Sequence, residues 1–162
     1  MAVRVQREGF DVGAEIRALT AGRVDVGAIV TFTGTVRGES GGRALRSMAL
    51  EHYPGMTERE LERVEAEALA RWPLAASLIV HRIGELVPGD DIVLVVTASA
   101  HRQAAFDAAA FLMDYLKTRA PFWKKETAVD GSGGWVDARE TDTAAAARWQ
   151  GGPGAQSVRR SD

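Results

Sequence analysis

Between Met113 and Glu126 the chain reads MDYLKTRAPFWKKE, a helix-compatible run that must stop at a proline. Pro121 has no amide hydrogen to continue a helix and disfavours helical geometry at Ala120, so the backbone turns there and brings Phe122 and Trp123 back beside the helix end. Lys117, Arg119, Lys124 and Lys125 lie within nine positions, so cations from the two sides of the break can converge. Converging ammonium groups repel, and partial burial beside the aromatic rings adds desolvation. Both effects push at least one lysine toward the neutral form, which can act as base or nucleophile. Spacing alone equally allows a plainer reading, in which these are helix-end cations complementing the macrodipole and solvated loop charges.

The 162 residues make one domain by length, expected over 1–149, with 46% apolar residues to build its core. A formal net charge of −2 gives no general attraction to nucleic acid or to an anionic membrane. The cationic stretch stands out against that background and suits a discrete anionic ligand. The chain has no cysteine, which excludes disulfides, a thiolate metal site and a cysteine sulfur carrier. No apolar run reaches the length of a signal peptide or a membrane span, so a cytoplasmic protein is expected. Gln150 and the closing run GGPGAQSVRRSD read as a disordered tail over 150–162.

Along the chain, Asp11 caps a short helix to about Ala21. The alternating, β-branched run from Gly27 to Val36 reads as a strand, and Ala44 to Glu51 as a second one after a flexible Gly-Glu-Ser-Gly-Gly loop at 38–42. Thr57 to Glu60 spells a capping box that opens an amphipathic helix with Leu61, Val64, Ala68 and Trp72 on one stripe. Leu78–Ile83 and Ile92–Ser99 are apolar strands about a Pro88-Gly89-Asp90 turn. Ser99 then reads as the cap of a long helix to about Arg119, with Phe106, Ala109, Ala110, Met113 and Leu116 inward. A strand near Trp123–Val129, a short one at Trp135-Val136 and a last helix through TAAAARW follow. Hairpin strands with two long helices predict an α+β architecture with a mainly antiparallel sheet.

Three groups of residues stand out as site candidates. His101 and Arg102 sit in the first turn of the long helix, where exposed backbone amides and the positive dipole end favour an anion and where cationic side chains do nothing for the helix. Arg37 leaves a strand into the glycine-rich loop, a rigid place from which to present a guanidinium to phosphate. Lys117 and the Lys124, Lys125, Glu126 run flank the proline. His101 and Lys117 are ends of one helix, and at about 1.5 Å per residue they stand roughly 24 Å apart. One small molecule cannot touch both, so either there are two sites or two subunits bring unlike helix ends together. His52 and Tyr53 precede a Pro-Gly turn, His81 alternates on a strand, and the three histidines have no metal-ligand spacing.

The 113–126 stretch, together with VTFTGTVR (30–37), LEHYPGMTE (50–58), RWPL (71–74), HRIGELVPGD (81–90), SAHR (99–102) and WVDARE (135–140), resembles the catalytic (large) subunit family of molybdopterin synthase, in the family's order across roughly residues 26–149. The resemblance implies an α/β-hammerhead-like fold and a sulfurtransferase. Its reaction would convert cyclic pyranopterin monophosphate to molybdopterin, building the dithiolene with sulfur from the C-terminal thiocarboxylate of a small ubiquitin-like partner subunit. It implies a substrate pocket of Thr35, Val36, Arg37, His101, Arg102, Lys117, Lys124, Lys125, Glu126 and Arg139, with Lys117 and Lys124 catalytic. It further implies a homodimer within a heterotetramer of two large and two small chains, with no metal and no bound cofactor. A carrier of this kind ends in Gly-Gly, whereas Gly151-Gly152 is internal here, so the partner is expected to be a separate chain. The rival reading is a non-catalytic docking module for the carrier, with the lysines as receptors for its acidic tail. A pterin pocket has no purpose in such a module.

Overall fold

The computed structural model describes residues 2–136 and 140–150. Its elements run β1 (Ala2–Gln6), α1 (Val12–Thr20), β2 (Ala28–Thr35), β3 (Glu39–Ser40), β4 (Arg43–His52), α2 (Met56–Arg71), β5 (Leu74–Arg82), β6 (Gly84–Leu86), β7 (Asp91–Ser99), α3 (Arg102–Thr118), β8 (Phe122–Ala128), β9 (Gly133–Val136) and α4 (Glu140–Ala147). One sheet has the order β1-β5-β7-β2; the other runs β3-β4-β8-β9, with β6 also paired to β4. The contact of β1 with β5 is parallel, and the other described pairings are antiparallel. The α+β class, the antiparallel bias and the two long helices, α2 and α3, agree with the sequence reading. The expected tail lies, apart from Gln150, outside the described residues.

Both faces of the first sheet are covered, and strand parity says by what. Leu78, Val80, Leu94 and Val96 point toward Phe10, Val12, Ile16 and Leu19 at α1. Their neighbours in sequence, Ile79, Val93 and Val95, point the other way, into a core with Leu61, Val64 and Ala68 of α2 and Phe111, Leu112, Tyr115 and Leu116 of α3. Double coverage explains why β5 and β7 are nearly continuous apolar runs rather than alternating ones. A smaller core of Val36, Met48, Leu50 and Leu86 lies where the second sheet meets the first.

Four local expectations are corrected. Helix α2 starts at Met56, and its first turn is closed by the Glu58 carboxylate accepting the Gly55 amide at 2.7 Å. Gly55, at φ 79°, supplies the turn a Thr57 cap would have made. Thr57 is buried inside the helix, donating to the Pro121 carbonyl at 3.1 Å and accepting from the Tyr53 amide. Ser99 ends β7 instead of capping α3: its hydroxyl donates to the Pro73 carbonyl, and His101 holds the cap position. Phe106 is 57% exposed. The buried residues of α3 are Ala105, Ala108, Ala109, Phe111, Leu112, Tyr115 and Leu116, and Phe106, one residue past Ala105, is turned about 100° away from it. The sequence signals neither β1 nor β6, and within the stretch 38–42 expected as a flexible loop Glu39–Ser40 forms β3, paired with Arg43 and Ala44 of β4.

Candidate active site

Helix α3 ends as Pro121 requires. The Arg119 and Ala120 amides both donate to the Tyr115 carbonyl, at 2.8 and 3.3 Å, and β8 begins one residue after the proline. The turn is pinned to α2 through the Thr57–Pro121 bond, and Arg119 lies over the Tyr115 ring at 4.5 Å. Once β8 has begun, its period of two decides which cations face inward. Phe122, Lys124 and Glu126 line a cavity of about 440 Å³, while Trp123 and Lys125 are exposed on the opposite face, with Lys125 paired across from Trp135.

The cavity lies between the two sheets and the C-terminal end of α3. Lys117 enters from α3, Lys124 and Glu126 from β8, and Thr35 and Arg37 from the end of β2 and the segment after it. Its wall is apolar where Phe32, Met48, Leu50, Met113, Leu116 and Phe122 contribute. Gly34 leaves room for its cross-strand neighbour, since a Cβ there would come within 2.8 Å of Val93 Cγ1. The register shifts at the same point, with Gly34 opposite Val93 and Thr35 opposite Asp91, so the extra residue is Ile92 of β7, itself in the cavity wall. A second cavity of about 250 Å³, lined by Ser40, Arg43, Gly133, Gly134 and Trp135, adjoins the first through Leu45, Glu126 and Val136.

Lys124 Nζ is 3.0 Å from Glu126 Oε1. Burial raises the Glu126 carboxyl, but hydrogen bonds from Ser40 and Lys124, with the charges of Lys124 and Arg37, outweigh it and hold the group below the usual glutamate range. The carboxylate is therefore a fixed negative charge among three cationic side chains. It orients Lys124 and limits the repulsion that Lys117, Lys124 and Arg37 would otherwise meet.

Thus Thr35, Arg37, Lys117, Lys124 and Glu126 come together in one cavity. Val36, between two of them, turns its side chain into the small core, while its amide and carbonyl bond Asp90 O and Gly89 N. Lys125 is outside the cavity. His101 and Arg102 are exposed at the far end of α3, and neither lines the cavity. Arg139 lies outside the described residues.

His81, expected from its alternation only as a strand residue, is in the cavity wall, stacked on Phe122 with ring centroids 3.8 Å apart. Its signal was parity: two residues after Ile79, it shares the face of β5 that meets α3. Among the described residues no helix is long and apolar enough to cross a membrane.

Known proteins share this fold and much of this sequence. The MoaE protein family model matches residues 5–119. The molybdopterin synthase catalytic subunit of Mesorhizobium japonicum is 64% identical over 149 residues, covering 91% of this chain and 92% of that one. The molybdopterin biosynthesis MoaE protein of Burkholderia ambifaria superposes with a TM-score of 0.78 at 54% identity, covering 92% of this chain and 98% of that chain. A complex of subunits 1 and 2 of molybdopterin-converting factor from Helicobacter pylori shares the fold at 19% identity, with a TM-score of 0.70 over 85% of this chain and 91% of that one. The chain belongs to the MoaE family, whose members include the molybdopterin synthase catalytic subunits it matches along nearly its whole length.

Proposed function

We propose that the 440 Å³ cavity is where this molybdopterin synthase catalytic subunit moves sulfur onto cyclic pyranopterin monophosphate in molybdenum cofactor biosynthesis. The donor is the thiocarboxylated C-terminus of a small ubiquitin-like subunit, since a chain without cysteine has no sulfur carrier of its own. The observation that carries the reading is the convergence of Lys117, Lys124 and Arg37 on one cavity around the Glu126 carboxylate. A thiocarboxylate and a phosphate are both anions, and a partly apolar, cationic cavity binds them more strongly than water-exposed charges can.

Lys117 and Lys124 are the catalytic pair: they neutralise the thiocarboxylate and move protons as charge develops on the transferring sulfur and the pterin. Arg37, with Thr35 and the Val36 backbone, takes the phosphate side. The groove floored by Gly133 and Gly134 is the approach for an extended tail. Each transfer delivers one sulfur, so a dithiolene needs the carrier twice. His101 and Arg102, roughly 24 Å from Lys117 along α3, serve the cavity of a second copy, with Arg139 a further contact. That makes a homodimer the catalytic unit and a two-plus-two heterotetramer the complete enzyme. A cytoplasmic location belongs to the same reading.

Complementation tests this arrangement. Chains carrying Lys117→Ala and chains carrying His101→Ala with Arg102→Ala are each expected to be inactive. Mixed dimers should regain about one working site in two. No recovery on mixing, with dimers confirmed by sedimentation, would leave each cavity to its own chain.

A further inference from the structure

We infer that His81 is a positioning residue for Lys117, an imidazole clamped in the cavity wall that accepts a hydrogen bond from the lysine ammonium and fixes its direction. The inference deepens the reading above and rests on it for the importance of Lys117. Three observations carry it.

The ring is held from two sides. It stacks on Phe122 with 16° between the planes, and Phe122 is itself fixed by following Pro121 into β8. Its Nδ1 lies 2.8 Å from the Arg82 carbonyl oxygen. Only a protonated ring nitrogen can bond a carbonyl, so Nδ1 carries the hydrogen and Nε2 of the neutral ring keeps its lone pair. The residue is also in place, because His81 and Lys117 line the same cavity from β5 and α3.

The imidazole stays neutral. Burial above all, then the charges of Lys117 and His52, outweigh the Arg82 carbonyl and lower the group to about 4. At physiological pH it can accept a hydrogen bond and cannot store a proton, which makes it a support for Lys117 and not a shuttle. The titratable and charged groups around the pair are His52 on β4, itself 3.3 Å from Glu58, then Lys124 and Glu126 on β8, Arg37 after β2 and Asp142 on α4. Within that set Glu126 is already 3.0 Å from Lys124.

The chain has three lysines, at 117, 124 and 125, so carbon-13 at the lysine ε position gives three NMR signals, with Lys117→Ala assigning one. The titration midpoint of Lys117 is read in wild type, His81→Phe and His81→Gln, each with near-ultraviolet circular dichroism as a check on folding. Phenylalanine keeps the stack on Phe122 and removes the acceptor; glutamine restores an acceptor oxygen. Losing an acceptor that favours the ammonium form moves the Lys117 midpoint to lower pH in His81→Phe. In turnover, kcat is expected to fall about tenfold with KM within about twofold, the scale of one lost hydrogen bond to a charged group. His81→Gln should recover both readouts. An unmoved midpoint with unchanged kcat in folded His81→Phe overturns the inference. So do equal losses of activity in both variants with the Lys117 midpoint unmoved, the signature of a ring that only packs. The midpoint needs no substrate. A wild-type chain that makes no product would therefore refute the proposed reaction while leaving His81 still judged by the titration.

Discussion

Lys124 and Lys125 are adjacent in sequence, yet a strand sends them to opposite faces, one to Glu126 and the cavity, the other to solvent beside Trp135. Side-chain chemistry cannot distinguish them; position does. Lys124→Ala is expected to lower product formation by about a hundredfold or more, the scale of removing one electrostatic contact to developing charge. Lys125→Ala is expected to change it less than about threefold, and equal losses in steady-state rates would show that the face of β8 is irrelevant. The convergence across Pro121 was legible in the sequence because proline chemistry is local. The partition of the lysines followed from a strand boundary, and the Glu126 ion pair from which residues share a strand face.

At the scale of elements, the site depends on how closely β9 packs on β8. A Cβ on Gly133 would lie 2.1 Å from the Glu126 carbonyl oxygen, backbone that cannot move aside while the strands stay paired. Gly133→Ala is therefore expected to cost about 1–3 kcal/mol in urea unfolding and to loosen the strand that holds Lys124 and Glu126. Wild-type stability in that variant would mean that β9 contributes nothing. Phe111 is fully buried between Trp72 and Tyr115, at ring centroid distances of 5.3 and 4.5 Å, and Phe111→Ala should cost about 3–5 kcal/mol by the same assay. The strands and helices were readable from period and turn chemistry, but the phase of α3 was not. A large aromatic at 106 competes with small alanines for the inward stripe, and here the close approach of helix to sheet selects Ala105, Ala108 and Ala109. β1 gave no such signal because its pairing with β5 is long-range and parallel.

Over the whole molecule, the buried neutral His81 ties stability to pH. Its folded value of about 4 lies below the ordinary 6.5, so between those values the unfolded chain binds a proton that the folded chain refuses. Stability is then full above about pH 6.5 and falls toward pH 4, by at most about 3 kcal/mol. Glu126, also lowered, adds a loss in the same direction at more acid pH. Thermal midpoints should drop across that window in wild type and flatten in His81→Phe; parallel curves would mean that the histidine titrates normally. The separation of His101 and Arg102 from Lys117 was legible as a length, since one helix cannot put both ends in one cavity. Its sulfur chemistry came from family resemblance, because lysines and arginines alone specify an anion and not a reaction. The most direct test is conversion of cyclic pyranopterin monophosphate to molybdopterin by the purified chain with thiocarboxylated small subunit, wild type against Lys117→Ala. Product from wild type and at least a hundredfold less from the variant is the expected result. Binding of the small subunit without product from wild type, or equal product from both chains, would contradict the assignment of this cavity as the sulfur-transfer site.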